Sequence, residues 1–127
     1  MRAIEHLING KAVAGGARQG DVFNPNTGQV QAKVAFSTAK DVDSAVQAAA
    51  KAFPAWAATN PQRRARVMFA FKALVEANMD ELAHILSSEH GKVIADAKGD
   101  IQRGLEVIEF ACGIPHAMKG EYTEGAG

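Results

Sequence analysis

The sequence predicts a predominantly α-helical chain with a small N-terminal region of strands and turns. Two patterns support this fold class. Apolar and polar residues largely alternate over Val30–Phe36, which is the period of a half-buried strand. After Thr38 the apolar residues recur at spacings of three and four, which is the period of an amphipathic helix. The change of period divides the chain into strands and turns over residues 1–37 and helices over residues 38–120.

The strand region is expected to contain three short strands. Leu7–Val13 is predicted as one strand, the glycine-rich stretch 15–20 as a hairpin loop, and Asp21–Phe23 as a strand that pairs back on the first. Asn24–Gly28 is a strong turn signal, because proline presets φ and glycine tolerates a positive φ. The alternating stretch Val30–Phe36 then completes the region.

The first predicted helix begins at Thr38. Asp41 follows this hydroxyl by three residues, which is the form of a capping box. Pro54 is expected to end or kink the helix, since proline lacks a backbone N–H. The apolar residues that share one face of this helix are Val42, Ala45, Val46, Ala49, Phe53 and Trp56.

Three more helices are predicted from their end signals. Asn60 and Pro61 are suited to the N-cap and first position of one helix, Asn78 caps the next, and Gly91 is the natural stop after it. The three helices run over residues 60–77, 78–91 and 93–112. The residues expected to be buried by the second of them are Leu82, Ile85 and Leu86.

Large core side chains are scarce. Leucine, isoleucine, valine and phenylalanine together supply 28 of the 127 residues, whereas alanine alone supplies 25. That is little above the level of roughly one fifth below which disorder is expected. We therefore expect alanine faces such as Ala45–Ala49 to pack against a surface that this sequence does not contain. In isolation, the chain is predicted to bury these faces against a second copy.

Composition also excludes several classes of protein. The chain has 14 basic and 14 acidic residues, so it lacks the basic excess typical of nucleic-acid binding. No apolar run approaches the length of a membrane span, and the charged start has no apolar signal core. We expect a soluble, cytoplasmic protein with neither a nucleic-acid nor a membrane partner.

Cysteine and histidine do not indicate a reactive site. Cys112 lies late in the last predicted helix, far from the positive end of the helix dipole, and is predicted to be a buried small apolar residue. His84 and His90 are six residues apart, which is not the spacing of a helical zinc pair. Neither Gly91-Lys92 nor the stretch 15–20 has the spacing of a nucleotide-binding loop. The chain itself is expected to hold no catalytic residue, cofactor or metal.

Two groups of charged residues have open interpretations. Arg63, Arg64 and Arg66 oppose the dipole of a predicted helix start, so they either meet acids on another element or form a solvated face. Arg103 has acids at helical spacing on both sides and is followed by Gly104. It is either part of a salt-bridged surface or an exposed fork that binds a carboxylate.

Five segments occur in an order that resembles the start of an aldehyde dehydrogenase. They are Leu7–Gly10, Asn24–Val30, Asp41–Val46, Ala52–Trp56 and Glu89–Lys92. The stretch from Ser88 to Cys112, with Arg103-Gly104-Leu105-Glu106 at its centre, is similar to the methylmalonate-semialdehyde dehydrogenase branch of that superfamily.

The resemblance implies a function that this chain performs only as part of a longer enzyme. It implies NAD-dependent, CoA-acylating oxidation of malonate or methylmalonate semialdehyde to acetyl-CoA or propionyl-CoA, with loss of carbon dioxide. Arg103 would bind the carboxylate of this small acidic aldehyde. Residues 1–127 would be a single incomplete domain, the N-terminal part of the α/β cofactor-binding domain of a homo-oligomer. The alternatives are a segment of a hydrolytic NAD(P)-dependent aldehyde dehydrogenase and a non-catalytic helical self-association module.

Overall fold

The chain forms short strands followed by helices, as its periodicity predicts. The computed structural model describes residues 1–125. Within this range the strands are β1 (Arg2–Ile4), β2 (His6–Ile8), β3 (Lys11–Val13), β4 (Gln19–Phe23) and β5 (Val30–Ala35). The helices are α1 (Ala39–Ala58), α2 (Pro61–Ala77), α3 (Met79–His90), α4 (Ile94–Cys112) and α5 (Ile114–Ala117). The predicted fold class is confirmed.

The chain divides into two compact units. The first contains Met1–Ala58 together with Ser88–Gly91, and the second contains Thr59–Ser87 and the residues from Lys92 onward. The single incomplete domain over residues 1–127 stays a prediction, and its residues 126 and 127 lie outside the described part. No helix within residues 1–125 is both long enough and apolar enough to cross a membrane.

In the first unit, β5 is the central strand of a three-stranded sheet. It pairs with β1 in parallel and with β4 in the antiparallel sense, and its Ala32 is only 1% exposed. The predicted strand at Val30–Phe36 is confirmed. The predicted pairing of Asp21–Phe23 with the first strand is wrong, because β4 pairs with β5 instead.

Leu7–Val13 is not one strand but a hairpin of β2 and β3. The chain reverses at Asn9 and Gly10, whose φ angles are 52° and 72°. Positive φ at both central residues is the geometry of a two-residue hairpin turn, and Asn-Gly strongly favours it. Because β3 and β4 belong to different sheets, the predicted hairpin loop over 15–20 is wrong: residues 15–18 lie in a connection between sheets, and residues 19 and 20 begin β4.

The start of α1 is fixed by the predicted capping box. The backbone N–H of Thr38 donates to Asp41 Oδ2 at 2.7 Å, and the Asp41 N–H donates to Thr38 Oγ1 at 3.3 Å. The Thr38 hydroxyl also donates to Asp41 Oδ2, at 2.8 Å. The two hydrogen bonds from Thr38 to the carboxylate hold the pKa of Asp41 below its ordinary value, the one from the backbone N–H contributing most. Pro54 does not end the helix, which continues to Ala58.

The apolar face predicted for α1 exists but is not covered. None of the residues of this helix is buried within the described chain. Val42, Val46, Phe53 and Trp56 are 54%, 56%, 67% and 48% exposed. We call these four side chains the α1 apolar face.

The start of α2 and the end of α3 follow the predicted signals. Asn60 Oδ1 accepts a hydrogen bond from the Gln62 N–H at 2.9 Å and caps α2. Asn78 donates from Nδ2 to the Leu74 carbonyl at 2.7 Å, and its own carbonyl accepts from Leu82 N at 3.0 Å. The side chain of Asn78 therefore caps the C-terminus of α2, whereas the sequence predicts it as the N-cap of α3. Gly91, with φ of 86°, stops α3 as predicted.

The second unit has a core of small residues in which α2 packs against α4. Ala83 and Ala97 are fully buried, and Leu105 is 3% exposed. The predicted core residues of α3 are less buried than expected, since Leu82 and Leu86 are half-buried and Ile85 is 42% exposed. Small side chains allow the helix backbones to approach closely, but they leave little apolar area buried.

Candidate functional site

Arg103 lies on the solvent side of α4. Its side chain is 80% exposed, and its Nη1 atom is 3.4 Å from Asp100 Oδ1, one helical turn earlier. This is the i,i+3 pairing that the sequence predicts. The contact involves one nitrogen of a planar guanidinium whose five N–H groups are arranged as a fork.

The second oxygen of Asp100 is held by a lysine that precedes the helix. Lys92 Nζ contacts Asp100 Oδ2 directly. The Lys92 side chain is 20% exposed and that of Asp100 is 39% exposed, so this pair is better shielded from water than the pair with Arg103. The Lys92 backbone is also held in place, because its carbonyl accepts a hydrogen bond from Ser87 Oγ at 2.7 Å.

These contacts join three charged residues, which we call the Lys92–Asp100–Arg103 cluster. It contains two cations and one carboxylate, so its formal charge is +1. The most exposed of the three is Arg103. An exposed guanidinium with surplus positive charge can bind a carboxylate in bidentate fashion. The arrangement therefore has the chemistry of a carboxylate-binding site.

Within residues 1–125, the other acids at helical spacing make no ion pair with Arg103. Across the described residues, the ion pair of Arg103 is with Asp100, while Glu109 borders a groove of about 760 Å³ that also touches Arg66 and Cys112. The sequence correctly places Asp100 beside Arg103, but it does not indicate Lys92. Asp100 follows Lys92 at an offset of eight residues, whereas helical neighbours are three or four residues apart.

The sequence allows two interpretations of the arginines at the start of α2: contacts with acids on another element, or a solvated face. Arg63 and Arg66 are exposed, which fits the solvated face. Arg64 is half-buried and directs Nη2 toward Met118 Sδ at 3.9 Å, a sulfur rather than a carboxylate.

The predicted burial of Cys112 is confirmed. Cys112 is a free thiol that is 8% exposed, as predicted for a buried apolar residue. Residues 1–125 contain no cluster of three or more histidine, cysteine or acidic side chains that could hold a metal ion. Glu89 forms an ion pair with Arg2, whose Nη2 atom lies 3.3 Å from Glu89 Oε1.

Comparison with known proteins agrees with the resemblance. The sequence profile of the aldehyde dehydrogenase family matches residues 13–126. The chain belongs to the aldehyde dehydrogenase family. Its structure superimposes on the N-terminal part of solved members of this family.

Several relatives are named for malonate semialdehyde, for methylmalonate semialdehyde or for both. The chain is 45% identical over its whole length to malonate-semialdehyde dehydrogenase of Pseudomonas aeruginosa, of which it covers 26%. It is 42% identical over 93% of its length to a Dictyostelium discoideum protein named as an acylating methylmalonate-semialdehyde/malonate-semialdehyde dehydrogenase, of which it covers 22%. A Sinorhizobium meliloti structure assigned as a methylmalonate-semialdehyde dehydrogenase, in complex with NAD, is 58% identical with a TM-score of 0.93. That match covers all of this chain and 26% of the Sinorhizobium chain.

The chain thus spans about a quarter of the length of the relatives it matches. Arg103 falls within this quarter.

Proposed function

We propose that this chain is the N-terminal segment of an NAD-dependent, CoA-acylating dehydrogenase of malonate or methylmalonate semialdehyde, with acetyl-CoA or propionyl-CoA as product. Family membership supports aldehyde oxidation. The names of the relatives support the substrate pair and, for the Dictyostelium protein, the acylating reaction.

The observation that carries the proposal is the exposed Arg103 in a cluster of net charge +1. Both semialdehydes carry a carboxylate that a neutral aldehyde lacks. A guanidinium is permanently charged and matches the planar geometry of a carboxylate, so it can select an acidic aldehyde over a neutral one. Arg103 would hold the substrate by this group and orient its aldehyde toward the reacting centre.

The described residues do not fit NAD or CoA. Cys112 is buried in the helical core rather than exposed as a nucleophile. The glycine-rich stretch 15–20 leads into β4 and does not open a helix, so it is no phosphate-binding turn. We infer that hydride transfer and acyl transfer belong to residues outside this segment, and that the 127-residue chain alone is inactive.

A chimera tests the role of Arg103. The segment replaces the matching 26% of the Sinorhizobium relative, and Arg103→Leu is compared with the parent chimera on malonate semialdehyde and on propionaldehyde. A lost charged hydrogen bond should lower kcat/KM for the acidic aldehyde by about 10- to 100-fold, and that for propionaldehyde much less.

The matched control is Arg63→Leu, which removes another exposed arginine from a different helix. It should leave both substrates unaffected. Equal losses on both aldehydes in Arg103→Leu would remove the assigned role. Release of the free acid in the presence of CoA would favour the hydrolytic alternative over the acylating reaction.

A further inference from the structure

Asp100 lies between two cations that differ in exposure. It contacts the exposed guanidinium of Arg103 through Oδ1 and the largely shielded ammonium of Lys92 through Oδ2. Water screens an exposed pair strongly and a shielded pair weakly. The negative charge of Asp100 is therefore balanced mainly by Lys92, and the 3.4 Å contact with Arg103 is the weaker of the two.

This division of contacts bears on how Arg103 can bind an anion. A carboxylate beside Arg103 without a second cation would neutralise the guanidinium and repel an approaching carboxylate. With Lys92 in place, the repulsion is offset and Arg103 keeps its positive charge available. The charge needed at the exposed end of the cluster therefore depends on a lysine that is itself largely covered.

The position of Lys92 is set by the backbone around it. Ser87 Oγ donates to the Lys92 carbonyl at 2.7 Å, which fixes the connection between α3 and α4. Because the backbone is held, the lysine stem reaches Asp100 from the start of the helix, and Arg103 approaches the same carboxylate from the following turn.

We propose that Lys92 is a positioning residue that determines specificity for acidic aldehydes, by neutralising Asp100 so that Arg103 presents an uncompensated cation to the carboxylate of the substrate. The inference rests on the proposed role of Arg103 and deepens it. Lys92 acts through Asp100, without contact with the substrate.

The test uses the same chimera with Lys92→Gln, Asp100→Asn and the double variant. Lys92→Gln should raise KM for malonate semialdehyde about three- to tenfold, since Asp100 then competes for Arg103. Its kcat, and both constants for propionaldehyde, should stay within about twofold of the parent. Adding Asp100→Asn should restore the KM for malonate semialdehyde, because the competing charge is gone; this non-additivity measures the coupling.

Two further variants separate this charge effect from a loss of structure. Lys98→Gln removes a lysine from α4 that pairs with Asp80 at 2.6 Å, and it should leave KM unchanged. Lys92→Met keeps the apolar stem of the lysine, so it should behave like Lys92→Gln even if the glutamine variant folds poorly.

The outcomes distinguish the inference from the proposed function. Equal losses on acidic and neutral aldehydes in Lys92→Gln and Lys92→Met, or no rescue by Asp100→Asn, would overturn the inference. If Arg103→Leu impairs the acidic aldehyde more than the neutral one and the Lys92 variants do not, only the inference about Lys92 fails. If Arg103→Leu is itself not selective, the proposed function fails with it.

Discussion

A Cβ atom at Gly91 would lie 3.1 Å from Cγ of Pro25, in the turn between β4 and β5. Gly91 also has a φ of 86°, a backbone conformation that residues with a side chain rarely adopt. The segment Ser88–Gly91 also contacts β5 in the first unit, because Gln31 Nε2 donates to the Ser88 carbonyl at 3.2 Å. Gly91 is therefore required both by its backbone conformation and by the close approach of Pro25.

Gly91→Ala should destabilise the chain. The left-handed conformation costs a residue with a Cβ atom about 1–2 kcal/mol, and the contact with the proline ring adds to this. The measurement is the free energy of unfolding of the 127-residue chain in urea. An unchanged free energy would show that the backbone at residue 91 relaxes without cost.

Gly99→Ala is the matched control for this prediction. Gly99 lies within α4, and a Cβ atom there would meet nothing within 4 Å. Alanine is favoured over glycine inside a helix by about 0.5–1 kcal/mol, so this variant should be more stable than the parent. The two substitutions are chemically identical and should act in opposite directions.

Acid should weaken the chain partly through Asp41. The Thr38 hydrogen bonds hold the pKa of Asp41 below its ordinary value, so the folded chain favours the ionised carboxylate more than the unfolded chain does. The stability that this contributes is complete above the unfolded pKa and is lost as the pH falls through the lower folded pKa. Asp41→Asn should therefore show a smaller fall in its urea midpoint between about pH 6 and about pH 3 than the parent does.

Asp43→Asn is the control for Asp41. It removes a carboxylate two residues further along the same helix and leaves the Thr38–Asp41 hydrogen bonds in place. This variant should retain most of the pH dependence of the parent. The same pH dependence in all three proteins would contradict the role assigned to the capping box.

Cys112 should react slowly with thiol reagents while the chain is folded. Its side chain is 8% exposed, so modification requires local or global opening. Labelling in native buffer should be at least about tenfold slower than in urea. A Cys112→Ser/Thr123→Cys variant, with its thiol at an exposed position, should label rapidly in both conditions. Equal rates for Cys112 in buffer and urea would contradict its burial.

Local signals predicted the element boundaries better than the pairing of strands. The Thr38–Asp41 box, the Asn60 cap and the Gly91 stop each act within a few residues, so the sequence specifies them directly. The Asn9-Gly10 pair is also a local signal. It is typical of a two-residue hairpin turn, so on its own it is enough to predict the β2–β3 hairpin. The parallel pairing of β1 with β5 could not be predicted, since Arg2 and its partner Ala32 are far apart in sequence.

The candidate site was predictable only in part for a similar reason. Helical spacing places Asp100 one turn before Arg103, and the resemblance to a family singles out the arginine. Lys92 reaches Asp100 across the start of α4, and it lies before the N-cap Val93, where helical spacing does not apply. Contacts made across the end of an element depend on backbone geometry, which the three-dimensional structure supplies.

The α1 apolar face should make the isolated chain self-associate. Its four large side chains are about half exposed or more. The chain is rich in alanine and has few other large apolar side chains that could cover them. Sedimentation should show a mass that rises with concentration, and the emission of Trp56, the single tryptophan, should shift to shorter wavelength as the face is covered.

Phe53→Glu places a charge on this face and should keep the chain monomeric. Gln47→Glu adds the same charge to an exposed position on another side of α1 and should leave association intact. A parent chain that stays monomeric at all concentrations would show that this face needs the rest of a dehydrogenase, rather than a second copy, to cover it.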